Sequence, residues 1–276
     1  MSKVWFITGC SRGFGPQIAK AALGAGDRVV ATARNKTDVA ASLGGDSDQL
    51  LAVQLDVTQP AQARAAVAAA VARFGTIDIL VNNAGYGHMG FFEETSEEEV
   101  AAQFQTNFFG QLHVTRAVLP VMRQARKGHI FNLSSLAGIR GSEFVSLYCS
   151  SKFALEGFSE ALAREVGQFG IGVTILEPGP FRTDFLASTS LRVGAHAVAD
   201  YDDRRAQVRA SFEERNGRQP GDPVKLAQAI VRLANDAHPP LRFLAGSFAC
   251  TTVDAKLKET RAELDRWREL SQSLDF

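Results

Sequence analysis

Short apolar runs alternate with helical segments along the whole chain of 276 residues. The runs are mostly continuous in hydrophobicity, which is typical of strands covered on both faces of a sheet. Ala-rich segments such as Phe14–Ala25 and Gln62–Phe74 separate them. This repeated order predicts an α/β fold with a doubly wound parallel sheet, in a single domain over residues 1–276. We predict seven strands: Val4–Thr8, Arg28–Ala33, Leu50–Leu55, Ile77–Asn82, Ile130–Ser134, Val173–Glu177 and Leu241–Leu244.

The composition excludes several classes of protein. The 30 Lys and Arg residues balance 30 Asp and Glu residues, whereas a nucleic-acid binder normally carries a basic excess. No apolar run approaches the roughly 20 residues that cross a bilayer, and the first residues are too short for a signal peptide. Cys10, Cys149 and Cys250 suggest neither a disulfide framework nor a metal site. We therefore expect a cytoplasmic protein with no metal, nucleic acid or membrane span.

A Gly-rich turn ends the first strand and opens a helix. Glycine lets the backbone approach a pyrophosphate closely, and the start of a helix offers free N–H donors. The spacing is Gly-x-x-x-Gly-x-Gly rather than the commoner Gly-x-Gly-x-x-Gly. In this position it predicts a dinucleotide site on a Rossmann fold; the alternative is a tight turn that binds nothing. The turn residues assigned to the site are Gly9, Ser11, Arg12, Gly13, Phe14 and Gly15.

The end of the second strand bears on which dinucleotide is bound. NAD sites usually place a carboxylate near this point, whereas the 2′-phosphate of NADP is met by arginine. Ala33 stands where the acid is expected, and Arg34 follows it. Arg12 projects from the Gly-rich turn, so two guanidiniums are available for bidentate bonds to a phosphate. The alternative is a pair of solvated surface arginines. We predict NADP(H).

With these features the sequence resembles the short-chain dehydrogenase/reductase family over most of its length. Each motif is modest alone, but seven in the right order are highly specific. The motifs are Thr8-Gly-x-x-x-Gly-x-Gly15, Asp56-Val57, Asn82-Asn83-Ala84-Gly85, Asn107, Ser135, Tyr148-x-x-x-Lys152 and Pro178-Gly179-x-x-x-Thr183.

The resemblance implies further contacts with the cofactor. Asp56 would contact the adenine ring, Asn83 would support a ribose, and Thr183 would reach the nicotinamide carboxamide. Asn83 and its neighbours have an alternative role, in which their side chains stabilise the central sheet. The remaining residues assigned to the cofactor by the resemblance are Val57, Ala84, Gly85, Pro178, Gly179 and Phe181.

Tyr148 and Lys152 are four residues apart on a helix that is predicted to begin near Leu147, so they share one face. Hydride addition to a ketone leaves an alkoxide that needs a proton, and a free tyrosine has a pKa of about 10. A nearby ammonium group is expected to lower that pKa. We predict that Tyr148 is the general acid in reduction and the base in oxidation. By resemblance, Lys152 also binds the ribose hydroxyls.

A pair with this spacing is common by chance, so two further residues matter. In the family a serine precedes the tyrosine by about one strand–loop length, which selects Ser135 over Ser134. Its hydroxyl would stabilise the developing oxyanion, an effect of a few kcal/mol. Asn107 lies within a long predicted helix, Ser96 to about Met122, where asparagine is a poor helix former. The resemblance implies a helix irregularity that holds a water in a proton relay with Lys152; the alternative is a tolerated polar residue.

Apolar side chains follow two of the predicted strands and are expected to surround the nicotinamide. Such a pocket favours a small apolar ketone, aldehyde or alcohol over a sugar or a charged acid, although ordinary core packing explains the pattern equally well. The mixed segment at 184–218 is expected to be a lid or insertion on the substrate side. The apolar residues are Tyr86, Met89, Phe91, Phe92, Phe181, Phe185 and Leu186.

The segment 254–276 is predicted to be a C-terminal helical extension. An apolar stripe runs along one face of this helix and consists of Leu257, Leu264, Trp267 and Leu270. The stripe would pack on its own domain, cover the pocket or close a subunit interface, and we favour the first. Many family members have a Gly-rich terminal segment that builds a tetramer. Pro239 to Gly246 departs from it and resembles the retinol- and steroid-dehydrogenase-like branch, so the assembly stays open between a homodimer and a homotetramer.

Three functions follow from these features. The leading one is an NADP(H)-dependent reductase of an apolar carbonyl compound. The second is an NAD-dependent dehydrogenase of secondary alcohols, and the third is a cofactor-sensing protein that does no chemistry. The presence of Ser135, Tyr148 and Lys152 argues against the third, because a sensor needs no proton donor.

Overall fold

The computed structural model describes residues 2–186 and 191–276. Seven strands form one parallel central sheet, in the order β3-β2-β1-β4-β6-β7-β9, and β5 pairs with β8 in a separate parallel ribbon. The described strands are β1 (Val4–Ile7), β2 (Arg28–Ala33), β3 (Leu50–Gln54), β4 (Ile79–Asn82), β5 (Gly87–Met89), β6 (Gly128–Leu133), β7 (Ile171–Pro178), β8 (Leu191–Val193) and β9 (Arg242–Ala245).

Helices connect the strands and cover both faces of the central sheet. The predicted helix start at Ser96 is confirmed, because Ser96 and Glu99 form a capping box. Asp222 accepts hydrogen bonds from the first turn of α8. The described α-helices are α1 (Phe14–Gly24), α2 (Lys36–Leu43), α3 (Pro60–Phe74), α4 (Glu97–Phe104), α5 (Gly110–Ala125), α6 (Ser146–Gly167), α7 (Asp202–Arg215), α8 (Pro223–Ala234) and α9 (Ser247–Gln272). No helix in this part of the chain has the length and apolar character needed to cross a membrane.

The apolar core lies on both sides of the central sheet. Neighbouring residues of β1 show this: Trp5 packs in one layer with Ile230 of α8, and Phe6 packs in the other with Val114 of α5. All four side chains are fully buried. The continuous hydrophobicity of the strands therefore follows from burial of both faces, and the doubly wound α/β fold in one domain is confirmed.

The seven predicted strands are the seven strands of the central sheet, with bounds that differ by up to two residues. The three-residue strands β5 and β8 were not predicted, because runs this short show no periodicity. The predicted helix from Ser96 to Met122 is not continuous. A π-helical turn at Gln105–Phe109 separates α4 from α5, and the Gly110 N–H donates to the Gln105 carbonyl five residues earlier.

The topology fixes where a ligand can bind. The chain leaves β1 in one direction towards β2 and β3, and later returns to place β4 on the other side of β1. In doubly wound sheets, the crevice at the carboxyl ends of strands on either side of such a reversal is the usual ligand site. The Gly-rich turn follows β1 and Asn83 follows β4, so both lie at this point.

The C-terminal helix corrects one expectation. Helix α9 begins at Ser247, before the predicted extension, and its buried residues, Ala249 and Val253, lie in its first two turns. The predicted stripe does not pack on its own domain: Leu257 is 62% exposed and Trp267 is 52% exposed. The helix is longer than the surface available to it at the sheet edge, so its later turns extend beyond the core.

Candidate active site

The carboxyl ends of the central strands open into a cavity of about 980 Å³. Of the predicted site residues, all but Gly15 and Asn107 lie in its wall. Gly15 lies beneath the Gly-rich turn, and Asn107 is buried behind Gly85. The predicted residues in the wall are Gly9, Ser11, Arg12, Gly13, Phe14, Arg34, Asp56, Val57, Asn83, Ala84, Gly85, Ser135, Tyr148, Lys152, Pro178, Gly179, Phe181 and Thr183.

The Gly-rich turn has the shape of a phosphate cradle. Gly9 and Gly13 have φ of +72° and +70°, a region that favours glycine. A Cβ on Gly13 would meet no atom within 4 Å, so the backbone there is bare towards open space. A Cβ on Gly15 would lie 2.2 Å from the Gly9 carbonyl oxygen. Gly15 therefore allows the start of α1 to approach the turn, and its place outside the cavity wall agrees with this packing role.

Gly15→Ala is expected to displace the turn, because the new methyl group cannot coexist with the Gly9 carbonyl in this backbone. We expect weaker NADPH binding together with a lower melting temperature. Gly24→Ala, in the same helix but with open space around the new Cβ, is the matched control and should leave binding unchanged. Isothermal titration with NADPH and thermal melts of both variants test this. Equal NADPH affinity in the two variants would contradict it.

Two adjacent asparagines hold the carboxyl end of β4 in place. Asn82 donates to Thr115 Oγ1 and to Asn132 Oδ1, at 2.9 Å each, and so ties β4 to α5 and β6. Asn83 Nδ2 donates to the carbonyl oxygens of Thr8 at 2.8 Å and of Gly9 at 3.0 Å. The sheet-stabilising role is therefore present, and in addition Asn83 braces the Gly-rich turn from the cavity wall.

The corner beyond β2 has the residues expected at an adenosine 2′-phosphate. Ala33 is 5% exposed, and the exposed Arg34 follows it in the cavity wall. Arg12 faces the same cavity from the Gly-rich turn. Asp56 is the acid of this region, and its Oδ1 accepts hydrogen bonds from the Thr58 N–H at 2.9 Å and the Thr58 hydroxyl at 2.7 Å. The cradle, the cavity and this corner together fit a nicotinamide dinucleotide.

Tyr148, Lys152 and Ser135 converge on the cavity from α6 and the end of β6. Ser135 hydrogen-bonds the Tyr148 phenol and also accepts from the Ala137 N–H at 3.1 Å. Lys152 Nζ lies 5.7 Å from the centre of the Tyr148 ring and donates to the Leu133 carbonyl at 2.7 Å. The two side chains thus share the helix face that their spacing predicts.

The electrostatics of this group differ from the sequence expectation. Burial raises the pKa of Tyr148 to about 12, against a smaller lowering by Ser135. Burial also lowers the pKa of Lys152 to about 8, partly offset by the Glu156 carboxylate. The expectation that the ammonium brings down the tyrosine pKa is therefore wrong for the protein alone, because desolvation of the phenolate exceeds the stabilisation it receives. Tyr148 keeps its proton at neutral pH.

Asn107 lies at the centre of the π-helical turn and is fully buried. Its Oδ1 accepts from the Tyr86 N–H at 3.0 Å, and its Nδ2 donates to the Tyr86 carbonyl at 2.9 Å and to Ser151 Oγ at 3.4 Å. The irregularity expected here is present. The amide orients Tyr86 in the cavity wall and contacts α6 next to Lys152; a hydrogen bond to Lys152 itself is absent among the described residues.

The substrate side of the cavity contains part of the expected apolar set. Tyr86, Met89, Phe181 and Phe185 line it, and the Phe185 ring lies 5.4 Å from that of Tyr148. The side chain of Leu186 lies outside the described residues.

Phe91 and Phe92 do not line the cavity, which corrects the prediction. Phe91 turns away to stack on Tyr201 at 4.4 Å, and Phe92 is 69% exposed. Both follow the short strand β5, whose course was not predicted, so their direction was not predicted either.

Helix α7 supplies cavity residues that were not predicted from the sequence. Arg204, Val208 and Phe212 belong to it, and it has no buried residue of its own. Periodicity does not reveal such a helix, because it packs over a cavity instead of a core. Two ion pairs connect its first turn to the rest of the domain: Arg204 with Glu143 at 2.6 Å, and Arg205 with the buried Glu94. Residues 187–190 of the expected lid lie outside the described residues.

Comparison with known proteins agrees with this geometry. Residues 3–193 match the family model for short chain dehydrogenase. The chain is 39% identical over 274 residues to Oxidoreductase BOA17 of Botryotinia fuckeliana, covering 98% of each protein. It is 39% identical to 3-ketodihydrosphingosine reductase of Bacteroides thetaiotaomicron, covering 88% of each, and 36% identical to retinol dehydrogenase 8 of Homo sapiens, covering 86% of this chain and 79% of that protein.

Solved structures of similar proteins extend the comparison to the fold and to the cofactor. A short-chain dehydrogenase from Streptomyces avermitilis superposes with a TM-score of 0.92 at 39% identity, covering 100% of both chains. A 3-ketoacyl-(acyl-carrier-protein) reductase of Brucella melitensis, 28% identical with a TM-score of 0.74 and covering 88% of this chain and 97% of its own, is complexed with NADH. A metagenomic short-chain oxidoreductase, 27% identical with a TM-score of 0.69 and covering 89% and 97%, is in complex with NADP. With the fold, the cavity and these relatives in agreement, this chain is an oxidoreductase of the short-chain dehydrogenase/reductase family.

Proposed function

We propose that the protein is an NADP(H)-dependent reductase that interconverts an apolar ketone or aldehyde and its alcohol. The observation that carries the proposal is the meeting of Ser135, Tyr148 and Lys152 in the wall of the cavity that begins at the Gly-rich turn. A hydride donor and a proton donor are the two components that carbonyl reduction requires. When bound, the nicotinamide cofactor supplies the hydride.

The side chains of the chain itself handle the proton and the developing charge. Ser135 donates to the carbonyl oxygen, which stabilises the negative charge that grows there. Tyr148, which burial keeps protonated, transfers its phenolic proton to that oxygen. The positive charge of Lys152 then favours the phenolate that remains. In the reverse direction Tyr148 accepts the proton of the alcohol.

The preference for NADP(H) rests on Arg34 and Arg12 at the corner where Ala33 replaces an acid. The preference for an apolar substrate rests on Met89, Phe185 and their neighbours close to the Tyr148 ring. Two relatives are named for molecules with a large hydrocarbon part, retinol and 3-ketodihydrosphingosine, which supports a substrate with an apolar body. Helix α7 lies over this side of the cavity and is proposed as the lid that excludes water.

The pKa values predict how reduction depends on pH. Because Tyr148 keeps its proton up to about 12, whereas Lys152 loses its own at about 8, kcat/KM for ketone reduction should be level in the neutral range and fall above about pH 8. Initial rates with NADPH and an apolar aromatic ketone between pH 6 and 10 test this. A rate that keeps rising through pH 8 would contradict the assigned protonation states.

A further inference from the structure

One turn beyond Lys152 on α6, three acids surround a single arginine. Arg242 of β9 bonds Glu156 through Nη1, Glu177 of β7 through the same Nη1 at 2.6 Å, and Glu160 through Nη2 at 3.1 Å. The side chains of Glu156 and Glu177 are 6% and 1% exposed, whereas that of Glu160 is 50% exposed. One guanidinium cannot compensate two buried carboxylates and a third at the surface, and burial raises the pKa of both Glu156 and Glu177.

This acid cluster and the candidate active site meet at the end of β6. Lys152 and Glu156 are four residues apart on one face of α6, and both are at least 95% buried. Lys152 Nζ bonds the carbonyl of Leu133, and the next residue, Ser134, faces Glu156: a Cβ on Gly138 would lie 2.7 Å from Ser134 Oγ and 2.9 Å from Glu156 Oε1. Gly138 therefore keeps open the space that these two side chains share.

We propose that Glu156 is a positioning residue whose carboxyl group, shared with Glu177 on Arg242, sets the charge state of Lys152 and thereby the alkaline limit of turnover. The inference rests on the proposed function, in which Lys152 acts as an ammonium ion. The groups that face Glu156 are Lys152 and Glu160 on its own helix, Ser134 after β6, Glu177 on β7 and Arg242 on β9.

Glu156 and Lys152 lie close enough for the charge of one to shift the pKa of the other. Burial raises the pKa of Glu156 to about 7; Ser134 and Arg242 lower it and Glu177 raises it. As pH rises past neutrality Glu156 becomes a carboxylate, and this negative charge holds the proton on Lys152, whose pKa burial would otherwise lower further. Ionisation of Glu156 thus extends the pH range over which Lys152 stays positively charged.

Substitutions at the two acids should have different effects on the alkaline fall in kcat/KM. Glu156→Gln removes the carboxylate, so the alkaline fall in kcat/KM should move to lower pH by about one unit or more. Glu177→Gln removes a negative charge that raises the pKa of Glu156, so Glu156 should ionise at lower pH and the alkaline fall in kcat/KM should stay in place or move to higher pH. Glu160→Gln, which contacts the same arginine from the surface, is the matched control and should not move it.

The titration of Lys152 itself keeps this test independent of turnover. Carbon-13 NMR of lysine-labelled protein, with the Lys152 signal assigned by its loss in Lys152→Arg, should show a lower pKa in Glu156→Gln and not in Glu177→Gln. If the protein reduces no ketone but these shifts occur, the inference stands and the proposed function fails. If both variants fold and the Lys152 titration and the rate profile equal those of the wild type, or if the two acids shift them alike, the inference is overturned and the cluster only supports the fold.

Discussion

Tyr148→Phe should lower kcat for ketone reduction by about 10²- to 10⁴-fold while NADPH affinity changes little. The Tyr148 phenol hydrogen-bonds Ser135 in the cavity and keeps its proton at neutral pH. Phenylalanine preserves the packing of the ring but has no proton to donate. The ring contact with Phe185 at 5.4 Å should persist. Rates at saturating NADPH, together with titration of the cofactor, separate the two quantities.

Tyr201→Phe is the matched control for this variant. Its hydroxyl bonds Glu93 at 3.1 Å, outside the cavity wall, so the same change of atoms should leave kcat within a few-fold of the wild type. If Tyr148→Phe retained near wild-type activity, the assignment of Tyr148 as general acid would be wrong. A loss of NADPH binding as large as the loss of rate would instead indicate a damaged site.

Arg34→Ala should raise KM for NADPH by about tenfold or more and leave KM for NADH nearly unchanged. The guanidinium lies in the cavity wall where the 2′-phosphate of NADP is expected, and a charge-assisted bond to phosphate is among the stronger polar contacts. NADH has no 2′-phosphate, so the substitution removes no contact with it. Arg64→Ala removes a comparable exposed cation from α3, away from the cavity, and should change neither constant.

A double substitution at residues 33 and 34 should reverse the cofactor preference. Ala33→Asp combined with Arg34→Ala places a carboxylate where it would accept a hydrogen bond from the ribose 2′-hydroxyl of NAD and would repel the 2′-phosphate of NADP. The ratio of kcat/KM for NADPH to that for NADH should then fall below one. If Arg34→Ala affects both cofactors equally, Arg34 acts on the fold of the turn and not on the phosphate.

Much of the fold follows from local sequence because the sheet is buried on both faces. Continuous apolar strands such as Arg28–Ala33 are unambiguous, and the capping box at Ser96 marks a helix start by its own chemistry. The features that were not predicted depend on tertiary contacts. Strands β5 and β8 exist only as each other's partner, and the exposed stripe of α9 depends on how far the domain surface extends.

The site divides in the same way. Helix periodicity places Tyr148 and Lys152 on one face of α6, so their spacing in the sequence predicts that they meet. The spacing of the glycines predicts the Gly-rich turn in the same way. The pKa of Tyr148 was not predictable, because it depends on how much protein surrounds the phenol. The cluster at Arg242 joins residues 86 positions apart in the chain, and no local pattern connects them.

We propose that this chain transfers a hydride from NADPH to the carbonyl carbon of an apolar ketone or aldehyde, with the proton supplied by Tyr148. The most direct test is incubation with NADPH deuterated at the transferable position and a panel of steroids, retinoids, aromatic ketones and fused-ring quinones. Mass spectrometry should find alcohol products with one deuterium at the former carbonyl carbon, and Tyr148→Phe should form almost none. Tight NADPH binding with no labelled product from any member of the panel would contradict the claim and favour a cofactor-sensing protein.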